Sequence, residues 1–163
     1  MILLLLPLGG NAQDSANSRG AVFEDKFLDS LVGDWNLKRS IRGTTAESTL
    51  VVKWVLDHRF LYLEMRSKEA NEYSADIYIG YDHVKKQYVL HWIDTWGGLF
   101  SETLGYGRME GDALIFDFAY PDGAFRNTFT RNSKNDTWRF LMQIADGKGG
   151  WKLFAEDQLA RKK

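Results

Sequence analysis

The sequence contains no cysteine, and only 2 of its 163 residues are proline. Without cysteine, a disulfide framework, a thiol nucleophile and a cysteine-based metal site are all excluded. Neither sign of charge prevails, because 21 Lys and Arg residues stand against 22 Asp and Glu residues. This balance gives no electrostatic reason to bind nucleic acid or an anionic membrane.

Long hydrophobic runs are also lacking. The longest, at the N-terminus, has about eight apolar residues, far fewer than the roughly 20 that span a bilayer. The small residues of Gly10-Asn11-Ala12 follow it and provide a cleavage site. We therefore predict a signal peptide over residues 1–12, a flexible lead-in over 13–22 and a folded domain over 23–163, in a secreted or periplasmic protein. A misassigned start codon or a plain apolar tail stays open, because no Lys or Arg precedes the run.

Aromatic side chains and glycine are what the chain has in plenty. Aromatic residues make up 14% of the sequence, and 15 residues are glycine, a composition typical of β-strands joined by tight turns. Apolar residues at helical spacing predict one short helix over residues 24–32, ended by Gly33. From Asp34 the apolar period changes to two, and turn residues recur every 10 to 15 positions.

This pattern predicts ten strands, each joined to the next by a hairpin. A long antiparallel meander has two exposed edges, and closing into a barrel removes them. The predicted fold is therefore all-β: an up-and-down antiparallel barrel of about ten strands with one short N-terminal helix. Apolar residues on both faces of residues 50–56 and 114–118 indicate either a homodimer interface or cover by the N-terminal helix.

Several short motifs along the chain match one known group of proteins. They are Leu31-Val32-Gly33-Asp34-Trp35, Arg59-Phe60-Leu61, Gly80-Tyr81-Asp82 and the later Tyr88, Trp92 and Asp94. Together they resemble a bacterial lipocalin-like family of unknown function within the calycin superfamily, distantly like fatty-acid-binding proteins and nitrobindins. The resemblance implies a barrel of about ten strands, often secreted, with no established reaction. Nitrobindins hold haem iron through a histidine on the C-terminal strand, but residues 151–161 contain none, so no cofactor is expected.

Motifs for catalysis and for metal binding are missing. The sequence has neither Gly-x-Ser-x-Gly nor His-Glu-x-x-His. His58 and His83 lie at predicted turns, where they fit turn formation better than catalysis. His91 and Asp94 are three positions apart on one strand and therefore point to opposite faces. We predict no catalytic residues and no metal ligands.

The best candidate for a ligand entrance is the end of the fifth strand. Trp92 and Asp94 are two positions apart and share a face. The following residues 95–98 are glycine-rich, and Trp96 among them suits a binding rim. The alternative is that Asp94 only caps the hairpin and pairs with a neighbouring arginine.

Three further residues are candidates for the same ligand site. Trp54 would add apolar contact to that of Trp92. Arg39 would bind a ligand carboxylate or form an internal ion pair, and Tyr78 would also face the ligand. The acidic partners considered for Arg39 are Glu64, Asp76 and Asp94.

Three functions remain open. The first is a secreted barrel that binds a small apolar or amphipathic molecule, since barrels of this size commonly hold one ligand. The second is an isomerase or hydrolase that uses carboxylate, tyrosine or histidine groups in the same cavity. The third is a structural or interaction barrel with a filled core. A cavity would favour the first two, and a carboxylate with a strongly raised pKa inside it would favour the enzyme.

The signal-peptide prediction has a direct test. Protein isolated from its native host is expected to begin after Ala12, and Edman sequencing or intact mass reports its first residue. A mature protein that begins at Met1 would contradict the prediction.

Overall fold

The computed structural model describes residues 22–69 and 72–163. The predicted signal peptide, and the predicted lead-in except Val22, lie outside the described residues. Within these residues, two short helices and ten strands follow one another. They are α1 (Lys26–Asp29), β1 (Gly33–Ile41), β2 (Thr44–Val55), β3 (Phe60–Ser67), β4 (Ala75–Asp82), β5 (Gln87–Asp94), α2 (Gly98–Ser101), β6 (Gly105–Glu110), β7 (Ala113–Tyr120), β8 (Gly123–Asn132), β9 (Thr137–Ala145) and β10 (Trp151–Arg161).

The ten strands form one closed antiparallel barrel. Each strand pairs with its neighbours in the sequence, and β1 closes the ring by pairing with β10. The predicted all-β up-and-down barrel is therefore confirmed. Alternation of buried and exposed residues is clearest along β1, where Trp35 and Leu37 point inward and Asn36 and Lys38 point outward.

Helix α1 begins where the Asp25 side chain caps it. Its Oδ1 accepts hydrogen bonds from the backbone N–H groups of Phe27 (2.8 Å) and Leu28 (3.0 Å). The helix is shorter than the predicted residues 24–32. The reason is that Ser30, Leu31 and Val32 donate to carbonyls three positions back, so the last turn has the tighter 3₁₀ geometry.

The second helix, α2, lies in the β5–β6 connection, where the sequence predicted only a glycine-rich turn. Gly97 precedes it with a φ of 87°, in the region that favours glycine. Helix α2 rests against the outer side of β5, since His91 Nε2 is 2.6 Å from the Ser101 carbonyl oxygen. Among the described residues, neither helix has the length or the apolar character to cross a membrane.

The two ends of the barrel differ. Strand direction alternates, so the β2–β3, β4–β5, β6–β7 and β8–β9 turns share one end with α1. We call this the helix end; there the Phe23 amide donates to the His58 carbonyl of the β2–β3 turn. The β1–β2, β3–β4, β5–β6, β7–β8 and β9–β10 connections share the opposite end, which we call the mouth.

The helix half of the interior is filled by apolar side chains. Leu28 from α1 and Leu31 from the turn that follows α1 are fully buried, and so is Trp35. Trp35 Nε1 donates to the Leu31 carbonyl (2.8 Å), which ties the first strand to this turn. Phe129 and Phe140 stack with ring centroids 4.0 Å apart. This half of the barrel supplies the main hydrophobic stabilisation.

Trp35 provides a test of this core. Trp35→Ala is expected to lower the free energy of unfolding by about 3–5 kcal/mol, because it leaves a cavity that close-packed neighbours fill only in part. The matched control is Trp96→Ala, since Trp96 is 58% exposed, and this change is expected to cost about 0.5 kcal/mol or less. Urea denaturation followed by circular dichroism measures both. Equal midpoints for the two variants would contradict the core role of Trp35.

Candidate functional site

The barrel wall has a gap at the mouth between β5 and β7. In this described stretch, β5 and β6 pair only from Tyr88–Gly107 to Leu90–Gly105. Strand β5 continues to Asp94 beyond its last partner on β6. The residues between Asp94 and Gly105 form the connection that contains α2. This connection therefore forms the wall at the place where the sequence predicted a ligand entrance.

Trp92 and Asp94 line this gap and are joined by a tyrosine from the β3–β4 connection. Trp92 points inward and is nearly buried, and its Nε1 donates to the Tyr73 hydroxyl (2.6 Å). The Tyr73 hydroxyl donates in turn to Asp94 Oδ2 (3.0 Å). Asp94 Oδ1 accepts the backbone N–H of Trp96 (2.9 Å). Asp94 thus caps the turn, as one alternative held, but its side-chain partner is a tyrosine.

Deeper in the mouth, Arg39 forms a bidentate ion pair with Asp157. Nε binds Oδ1 and Nη2 binds Oδ2, both at 2.6 Å. The Arg39 side chain is 11% exposed and that of Asp157 is 0% exposed. The guanidinium also lies 4.9 Å from the centroid of the Tyr73 ring. The predicted internal pair therefore exists, but its acid comes from β10 instead of Glu64, Asp76 or Asp94.

Burial and neighbouring charges shift the pKa values of the side chains at the mouth. Burial acts to lower the pKa of Arg39, but the hydrogen bonds and charge of Asp157 outweigh burial and raise it. Burial raises the pKa of Asp157, and Arg39 opposes that rise. Burial also raises the pKa of Tyr73, which keeps its hydroxyl neutral as a donor to Asp94. Across the gap, burial and the Asp94 charge raise the pKa of Tyr120 on β7.

A polar side chain without a complete set of partners also faces the barrel interior. Asn127 lies on the inner face of β8, is 2% exposed, and its Oδ1 finds no hydrogen-bond partner among the described residues. Leaving a buried acceptor unpaired costs about 1–3 kcal/mol. Two other buried atoms of the described chain lack partners, Arg131 Nε and Trp138 Nε1, and these residues flank the β8–β9 turn at the helix end.

Two of the predicted site residues lie elsewhere. Trp54 sits at the helix end, where its Nε1 donates to Asp29 (2.9 Å) and its ring stacks on His58 (4.0 Å). The end of β2 and the end of β5 are at opposite ends of an up-and-down barrel, so Trp54 and Trp92 do not share a ligand surface. Tyr78 points outward, because Ile77 and Ile79 occupy the inward positions of β4, and it stacks on Tyr62 (5.0 Å). Both assignments are corrected.

Trp96 lies on the rim, as the sequence indicated. It is exposed, and its ring makes edge contacts with Tyr73 (5.6 Å) and Phe100 (5.9 Å). Leu99 and Phe100 of α2 are exposed beside it. The loop that covers the gap therefore presents apolar side chains to the solvent.

Sequence analysis missed four residues of this site. Asp157 carried a signal, because it stands between Ala155 and Leu159 on the inward face of the last strand. Asn127 carried the same signal between Phe125 and Phe129. Tyr73 lies in a connection and Tyr120 at the end of a strand. At such positions the alternation of inward and outward residues does not predict where a side chain points.

Ligands for a metal do not converge here. Within residues 22–69 and 72–163, no group of three His, Asp or Glu side chains is placed to hold a metal ion. The three histidines are apart: His58 is at the β2–β3 turn, His83 at the β4–β5 turn and His91 on the outer face of β5.

Comparison with protein families assigns the chain. Residues 23–161 match the family described as "Protein of unknown function (DUF1579)". The chain belongs to the DUF1579 family. No curated protein sequence matches this DUF1579 protein.

Solved structures share its barrel at low sequence identity. An S-type phycobiliprotein lyase from Guillardia theta superimposes with a TM-score of 0.56 at 15% identity, covering 85% of this chain and 92% of the lyase. Rv2717c from M. tuberculosis superimposes with a TM-score of 0.52 at 14% identity, covering 85% of this chain and 99% of that protein. At these identities the likeness concerns the calycin-like fold alone.

The ion pair of the DUF1579 protein yields a stability prediction. Arg39→Met leaves the Asp157 carboxylate buried without its partner and is expected to cost about 3–5 kcal/mol. Replacing both residues, by Arg39→Met with Asp157→Leu, is expected to recover most of that loss, because neither charge is then desolvated. Urea denaturation of the single and double variants measures the difference.

The control for this prediction is the exposed pair of Lys68 and Glu47 (2.8 Å). Lys68→Met is expected to cost no more than about 1 kcal/mol, because solvent screens an exposed pair. If Arg39→Met costs as little as Lys68→Met, the buried pair does not have the assigned role.

Proposed function

We propose that this DUF1579 protein binds a small apolar or amphipathic molecule in the mouth half of its barrel. The ligand enters through the gap between β5 and β7, beneath the loop that carries Trp96 and α2. The observation that carries the proposal is a connected polar wall segment inside the barrel at this end, where Tyr73 contacts Arg39 and Asp94, and Arg39 pairs with Asp157. That segment consists of Arg39, Asp157, Tyr73 and Asp94, and Asn127 faces the barrel interior from β8.

Apolar contact for the ligand comes from the residues that flank this wall. Trp92 lies on one side of the gap, and Phe118 and Tyr120 stack on the other side with ring centroids 5.6 Å apart. Met65 reaches the centre, where its sulfur lies 3.6 Å from Arg39 Nη2. Mostly apolar walls with a few placed polar groups are typical of small-molecule sites. The lipocalin kinship suggested by the sequence motifs agrees with such a role.

Burial raises the pKa of Asp157 inside the barrel, which agrees with the enzyme alternative, but the hydrogen-bond geometry supports that alternative less well. A general base needs a carboxylate oxygen free to take a proton. Both Asp157 oxygens accept hydrogen bonds from Arg39, and Asp94 accepts hydrogen bonds from Tyr73 and from the Trp96 amide. These contacts hold the carboxylates in place and favour binding over proton transfer.

The alternative of a filled structural barrel applies to the helix half only. There most inward side chains are buried apolar groups, and α1 covers the end. The mouth half keeps a buried ion pair and an interrupted wall, two costs that a purely structural barrel has no reason to retain. Secretion through the N-terminal segment belongs to the same proposal, and a homodimer stays a prediction.

Ligand titration tests the proposal. The full chain is titrated with fatty acids, retinoids, haem and a linear tetrapyrrole while tryptophan fluorescence is followed, and native mass spectrometry identifies any molecule that copurifies. The tetrapyrrole is included because one structural neighbour is a phycobiliprotein lyase. At least one compound is expected to bind with a dissociation constant in the micromolar range or tighter. Such a constant corresponds to a binding free energy of about 8 kcal/mol.

Matched tryptophan variants locate the site. Trp92→Leu is expected to weaken binding by about tenfold or more, because it removes apolar contact beside the gap. Trp54→Leu, a tryptophan change at the opposite end of the barrel, is expected to leave the dissociation constant within about twofold. Binding that survives Trp92→Leu, or that Trp54→Leu weakens equally, would place the ligand elsewhere. A panel without any binder would refute the function.

A further inference from the structure

The unpaired oxygen of Asn127 indicates which head group the site takes. Asn127 pairs across the sheet with Met142, and the same inner row continues to Ala155 and Ile41. The adjacent inner row, about 7 Å away along the strands, contains Asp157 and Arg39. The Asn127 side chain therefore projects into the barrel interior three strands around the wall from Arg39. Buried polar atoms are nearly always hydrogen-bonded, so this oxygen points to a donor that a bound molecule supplies.

The charges at the mouth also bear on the head group of the ligand. Arg39, Asp157 and Asp94 are the charged side chains of the polar wall segment, one positive and two negative, which gives a net charge of −1. The Arg39 nitrogens Nε and Nη2 are both engaged by Asp157. The guanidinium face is turned to the Tyr73 ring. An anionic ligand would therefore meet a neutralised arginine and the negative charge of Asp94.

We propose that the ligand has an apolar body and an uncharged head that donates a hydrogen bond, as an alcohol does, and that a carboxylate is disfavoured. This inference rests on the proposed function, because it names the head group of the ligand for that same site. A hydroxyl donates to Asn127 Oδ1, whereas an ionised carboxylate only accepts. Burying a carboxylate without a free cation is costly.

Three retinoids test the head group on one apolar body. Retinol carries a donor, retinal carries only an acceptor, and retinoate carries a negative charge. Quenching of tryptophan fluorescence in the full chain gives the three dissociation constants. Retinol is expected to bind about threefold to tenfold more tightly than retinal, the contribution of one hydrogen bond. It is expected to bind at least about tenfold more tightly than retinoate. Dodecanol and dodecanoate repeat the comparison on a flexible chain.

Two variants assign the preference to residues. Asn127→Leu removes the acceptor at similar volume, so the advantage of retinol over retinal is expected to disappear while retinal affinity stays within about twofold. Asp157→Asn leaves Arg39 without its neutralising partner, so retinoate affinity is expected to rise about tenfold. The matched control is Asp117→Asn on the outer face, where Asp117 pairs with Arg126 at 2.6 Å, and it is expected to leave all three constants unchanged.

The outcomes separate this inference from the function on which it rests. Tighter binding of retinoate and dodecanoate than of the alcohols would overturn the head-group inference and leave ligand binding standing. An unchanged retinol preference in Asn127→Leu would also overturn it, and this variant carries the test if Asp157→Asn does not fold. If neither ligand series binds, the proposed function fails and the inference fails with it.

Discussion

The ion pair between Arg39 and Asp157 depends on the closure of the barrel and marks its register. The two residues are 118 positions apart and face each other only because β1 and β10 meet at the seam. Desolvating a guanidinium is expensive, and a bidentate carboxylate at 2.6 Å offsets much of that cost. A slip of one residue at the seam would turn one of the two side chains to the outer face. The pair therefore disfavours other registers of the closing strands.

The barrel divides its interior between stability and polarity. The helix half buries Trp35, Leu28 and Leu31 and has a capped helix over its end. The stability from this packing offsets the cost of the buried ion pair and the unpaired amide oxygen. Polar groups of this kind reduce stability, and proteins retain such departures mostly at functional sites. The helix half thus stabilises the fold, and the mouth half is the part that we expect to bind a ligand.

The period of two predicted the fold, because most strands have one buried face and most turns carry glycine or aspartate. It also predicted that Trp92, Asp94 and Trp96 lie together at one end of the barrel, as they do in the structure. Trp54 was misplaced although strand parity alone puts the ends of β2 and β5 at opposite ends of the barrel. Tyr78 was misplaced because a β4 strand with apolar or aromatic residues on both faces has no unique phase in sequence. The partner of Arg39 was beyond local reasoning, since only the closed register brings Asp157 to it.

The gap beside β5 follows from the design of β6. This strand has six residues, the fewest of the described strands, and it contains Gly105 and Gly107. A Cβ at either glycine would come within 2.5 Å of the Phe118 or Phe116 ring, so the two rings lie directly against the strand backbone. Strand β6 begins only at Gly105, so the part of β5 nearest the mouth has a loop as its neighbour in place of a strand.

Unpaired strand backbone is a liability in a sheet. Here Ser101 Oγ in the connection accepts the N–H group of Asp94 (3.4 Å). The protein thus tolerates an interrupted wall at the place where its interior is polar, and this coincidence links the fold to the proposed entry of a ligand.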